Sequence, residues 1–140
     1  MTSSISSPAR RSLKSLVTPA RLYAIGRIAL GAWIFLDPSG FGAKWLTPPQ
    51  DPLLTGLMLR AGGGKDVMLG LGLLLADKPR RWLWICAGYD FIDAFIVFFA
   101  RSRFSDQDLW SGMIGAGAFG LLAVAIAEVG ARRRRAATNS

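Results

Sequence analysis

Six charged side chains lie well inside long apolar stretches of this 140-residue chain, away from their ends: Arg27, Arg60, Lys65, Asp66, Asp90 and Asp93. Three are positive and three negative, so their charges cancel. Groups of this kind in an apolar setting serve one of two ends. They pair and lock helices together, or they carry a proton or an ion. Other chemistries find little to work with. There is no His, hence no imidazole ligand and no His base. The single Cys, Cys86, allows no intrachain disulfide, thiolate zinc cluster or iron–sulfur site. Only oxygen ligands from Asp would remain for a metal, and no metal site, cofactor or catalytic residue is assigned. A membrane enzyme is the weakest reading, because the clustered groups able to do acid–base work are Asp, Lys and Tyr89 alone.

The elements that must position these groups are set by where the other charges lie. Only 19% of the residues are charged, against roughly 25% in an average soluble domain, and 51% are hydrophobic. The charges cluster and leave four apolar stretches of the length a spanning helix needs, about 20 residues. The expected fold is therefore all-α, an integral membrane four-helix bundle. Its spans are placed at about 19–36, 52–76, 79–100 and 108–129. Thr18 can cap the first, with Pro19 at the first helical position, and Asp37-Pro38-Ser39-Gly40 ends it. Asp51 can cap the second, and Gly130 with four arginines ends the last. No alternation of the kind a strand needs is present.

Lys and Arg are retained on the cytoplasmic side of a membrane. The N-terminal segment, the loop between the second and third spans, and the C-terminal segment together hold eleven: Arg10, Arg11, Lys14, Arg21, Lys78, Arg80, Arg81 and Arg132 to Arg135. The opposite side holds Lys44, Arg101 and Arg103. Both termini are thus expected in the cytoplasm, the protein in the plasma (inner) membrane, residues 1–18 as a disordered basic tail and 131–140 as a second basic tail. Tyr23, Trp82 and Trp84 fall near one interface, Trp33, Trp45 and Trp110 near the other. The first 18 residues also resemble a transit peptide in composition, and Arg10-Arg11 brushes against a twin-arginine signal, but no small-residue cleavage site comes after them. The net charge of +8 reads as this topology signal and not as a nucleic-acid footprint. The bilayer is the expected partner. Anionic lipids, a second copy of the chain or a larger membrane complex are the further partners considered.

Depth pairs some charges and not others. Arg27 lies roughly 12 Å into the first span at 1.5 Å per residue, and Asp90 lies at a matching level in the third. Asp93 is one turn deeper on the same face. Lys65 or Arg60 can reach it, while Lys65 and Asp66 point about 100° apart and do not suit each other. Phe91, Phe95 and Phe98 define the opposite face of that span. Gly56, Gly63 and Gly70 recur every seven residues, and Gly112, Ala116 and Gly120 every four, as small-residue seams do where membrane helices pack closely. Gly62-Gly63-Gly64 at mid-span has two readings: an intact helix against close neighbours, or a break lining a cavity, as in transporters.

Arg60, Gly63, Lys65-Asp66 and Leu69-Gly70 in one span, with Asp90 and Asp93 in the next, form an R-x-x-G-x-K-D-x-x-L-G pattern. It resembles that of small bacterial four-span membrane proteins grouped as a domain of unknown function. The resemblance covers about residues 22–128, implies an integral membrane protein and brings no activity with it. Small multidrug exporters are similar in size but keep an acid in the first span, where this chain has Arg27. The functional expectation is a structural or accessory/interaction subunit with a buried charge network. A small proton- or ion-coupled transporter using the intramembrane carboxylates is the alternative.

Overall fold

The structure, a computed structural model, describes residues 18–46, 51–103 and 105–138. Within them the chain is all-α, with five α-helices and no strand. The helices are α1 (Pro19–Leu36), α2 (Pro38–Trp45), α3 (Pro52–Leu75), α4 (Pro79–Phe99) and α5 (Asp106–Thr138), with a 3-10 turn at Arg101–Arg103. Arg10, Arg11 and Lys14 of the N-terminal segment lie outside the described residues, as do the side chains of Arg133 and Arg134.

The starts reflect local chemistry. Thr18 Oγ1 accepts the Arg21 N–H at 3.3 Å, and Asp51 Oδ1 accepts that of Leu54 at 3.0 Å. Each satisfies a donor that the first turn leaves open. Asp37 has a double role. Its N–H closes α1 on the Trp33 carbonyl, and its carboxylate accepts the Gly40 N–H to start α2. The stretch after Asp37 is therefore a short helix where the sequence reads as a loop, held back on α1 by the edge-on Trp33–Phe41 ring contact.

Two boundaries of the last helix are corrected. It starts at Asp106 and not Asp108, because Ser105 and Asp108 cap it reciprocally: Asp108 N–H to Ser105 Oγ at 3.2 Å, Ser105 Oγ to Asp108 Oδ2 at 2.8 Å. It also does not stop at Val129, since the backbone passes through Gly130 to Thr138. One glycine costs a helix only about 1 kcal/mol, and the alanines and arginines beyond it are good helix formers.

The long helices pack in two antiparallel pairs. Ala24 and Ile28 of α1 face Gly70 of α3, while Gly31 and Phe35 face Gly63. In the other pair Val97 of α4 faces Gly112 of α5, and Asp90 and Phe91 face Gly120. All four contribute to one small core, with Tyr23 and Ala24, Leu69 and Leu73, Leu83, Cys86 and Ala87, and Ala123 and Ala127. Helix α4 and the part of α5 from Asp106 to Arg132 are long and apolar enough to cross a membrane. Helix α1 carries Arg21 and Arg27, α3 carries Arg60, Lys65 and Asp66, and α4 carries Arg80, Arg81, Asp90 and Asp93.

Candidate functional site: a buried guanidinium between two carboxylates

Arg27 and Asp90 are the two buried charged residues among those described, 2% and 4% exposed. They meet in the fork geometry that suits guanidinium and carboxylate. Arg27 Nη1 donates to Asp90 Oδ2 at 2.8 Å, and Nη2 donates to Oδ1 at 2.5 Å. The Arg27–Asp90 pairing expected from their matching levels is thus a contact between α1 and α4.

The second pair of Nη hydrogens goes elsewhere. Nη2 also donates to Asp66 Oδ1 at 2.8 Å, and Nη1 to the Tyr23 hydroxyl at 2.7 Å. Four of the five guanidinium donors are then used. The fifth, Nε, is buried without a partner. The Tyr23 hydroxyl in turn faces Asp90 Oδ2 at 3.3 Å and the Phe119 carbonyl of α5 at 3.4 Å. Its one proton is shared between these acceptors, so the cluster ties all four long helices.

Backbone approach makes the Asp66 contact possible. A Cβ at Gly31 would lie 2.6 Å from the Gly63 carbonyl oxygen and 2.8 Å from Asp66 Cβ. A Cβ at Gly63 would lie 2.5 Å from the Gly31 carbonyl oxygen. The two glycines therefore face each other, one turn from Arg27. Gly120 does the same for α5, where a Cβ would meet Asp90 Cβ at 3.3 Å. Gly70 and Gly112 also abut neighbours, and Ala116 is half-buried. Gly56 is a correction: a Cβ there would meet nothing within 4 Å, because the α1 contact surface begins further along α3.

Lys65 pairs with Asp93, joining α3 to α4 in a half-buried bridge. Lys65 and Asp66 take different partners, as their angular separation requires. Arg60 is the second correction. It lies apart from the network, with Nε donating to the Phe35 carbonyl at 3.3 Å on the exposed side of α3. The three glycines at 62–64 lie within a continuous helix. Phe95 and Phe98 point outward, as expected of their face, while Phe91 also leans on Gly120.

Sequence reading missed Tyr23 and Gly31. Both carry a readable signal, since each lies four residues from Arg27 and thus on its face of α1. Tyr23, expected near an interface, is 6% exposed. No known protein family, curated protein or solved structure matches the chain.

Proposed function

We propose that this is a small integral membrane protein of four spans with both termini in the cytoplasm, and that its charge network is a structural lock within an accessory or interaction subunit. One observation carries the reading: the polarity of the molecule is inverted. Its most buried large side chain is an arginine, while leucines, isoleucines and phenylalanines of every long helix face outward. Examples are Leu22 and Ile25 on α1, Leu57 and Met68 on α3, Ile92 and Phe95 on α4, and Leu121 and Leu122 on α5. Soluble monomers rarely expose contiguous apolar patches beyond a few hundred Å². Of the charges on α1 and α3, Arg27, Asp66 and Lys65 have ion-pair partners inside the helix group, which lowers what they cost a spanning helix.

A transporter is the second reading, favoured by one detail. Arg27 faces two carboxylates, which leaves one negative charge more than the guanidinium balances. Asp66, the more exposed of the two and held by one oxygen, is the group that a coupled proton or cation would use.

Carbodiimide labelling of the detergent-solubilised protein separates the two. It modifies carboxyls that are protonated and reachable. A structural lock predicts no modification of Asp66, Asp90 or Asp93 at neutral pH. Modification of Asp66, blocked by the ion the protein carries, would establish transport instead.

A further inference from the structure

A cavity of about 710 Å³ opens where α1 and α4 begin and α5 passes its last apolar turns. Its walls are mainly apolar, with Pro19 and Ala20 from α1, Leu83 from α4 and Ile126 from α5. Two arginines, Arg80 and Arg135, complete the lining, and both are exposed. Arg80 Nη2 donates to Glu128 Oε1 at 2.8 Å. That bond takes one of the five donors of the guanidinium and leaves the others available. The lining holds two arginines and no acid, and Glu128 beside it faces Arg80, Arg132 and Arg135, so this end of the cavity is positively charged.

We infer that this cavity is a binding site for one anionic phospholipid. The inference rests on the membrane reading, which places the starts of α1 and α4 at the cytoplasmic interface. There an apolar floor takes an acyl chain and the arginines meet a phosphodiester at headgroup level. A phosphodiester with an uncharged headgroup carries one negative charge and is complementary to the positive lining. Phosphatidylcholine, with the same chains and a neutral headgroup overall, matches it less well. The extension of α5 beyond Gly130 is part of the site, because it brings Arg135 over the cavity instead of releasing it into a tail.

The test uses the full chain purified in a non-ionic detergent. Retention of phosphatidylglycerol and of phosphatidylcholine with matched acyl chains is counted by native mass spectrometry. The site predicts preferential retention of phosphatidylglycerol. Arg80→Gln with Arg135→Gln reduces that preference by roughly tenfold or more, as loss of two interfacial basic residues implies. Ala125→Trp, at an exposed position in the cavity wall, reduces retention of both lipids while helical content stays unchanged. Arg101→Gln, at the opposite end of the molecule, leaves the preference intact. Equal retention of the two lipids by the unaltered protein, or an unchanged preference in the double variant, overturns the site. Loss of phosphatidylglycerol in millimolar inorganic phosphate also overturns it, in favour of a free-phosphate site. A protein that stays folded and monodisperse without detergent defeats the membrane reading itself.

Discussion

The two helix pairs are held by different means. Helices α1 and α3 meet backbone to backbone, with Gly31 and Gly63 each leaving no room for a Cβ on the other. Helices α4 and α5 meet through side chains, with Phe91 on Gly120 and Val97 on Gly112. The α1–α3 pair carries Arg27, Lys65 and Asp66, whereas α4 and most of α5 are long and apolar enough to cross a membrane. Asp90 and Asp93 are the exceptions that join the two. A membrane helix with an unpaired charge at its centre loses roughly 2.5–3.5 kcal/mol of insertion free energy. Without the α1–α3 pair, α4 holds Asp90 and Asp93 with no cation, whereas without α4 Arg27 keeps Asp66 and Lys65 loses its partner, so each pair depends on the other.

The largest expected break in the link between the pairs is Arg27→Leu. It strands both Asp66 and Asp90, and removing one partner of a buried pair costs about 3–5 kcal/mol. The variant should unfold well below the parent in a detergent melt. The triple change Arg27→Leu, Asp66→Asn, Asp90→Leu should recover most of the loss. A triple variant no more stable than Arg27→Leu would show that the network is more than a charge balance.

The glycine contacts sharpen the contrast. Gly31→Ala forces backbone apart from backbone, and overpacking of this kind costs typically 1–3 kcal/mol. Gly120→Ala presses on the edge of the Phe91 ring at 3.0 Å, which can turn aside, so the loss should be smaller. Gly26→Ala meets nothing within 4 Å and should be neutral or stabilising by up to about 1 kcal/mol. Thermal melts of the three in one detergent give the order directly.

Smaller effects belong to the outer charges. Lys65→Met leaves Asp93 without its partner, but both side chains are partly exposed, so the loss in melting temperature should fall well short of that in Arg27→Leu. Arg60→Gln removes only a bond to the Phe35 carbonyl and should change the melting temperature least. A fall in melting temperature on Arg60→Gln that matches Arg27→Leu would return Arg60 to the network.

Helix limits were legible wherever a cap and a proline coincide, as at Thr18-Pro19 and Asp51-Pro52, because those residues act within one turn. The run past Gly130 was not, since a breaker and a charge run are local signals and do not outweigh the helix propensity of the alanines and arginines from Ala131 onward. Arg27 with Asp90 was readable from depth, which depends on residue count alone. The Asp66 contact was not, because it depends on how closely α1 and α3 approach, and that distance is set by Gly31 and Gly63 acting together. Arg60 was misassigned for the reverse reason: its depth permits a partner, but its face of α3 turns away from α4.

Four spans against two is the central question, and the segment around Lys44 answers it. A reporter active only outside the cytoplasm, fused after residue 44 in the intact chain, should be active, while the same reporter after residue 77 or 140 should be silent. If α4 and α5 alone cross the membrane, the reporter after residue 44 stays silent as well. That result would contradict the four-span account.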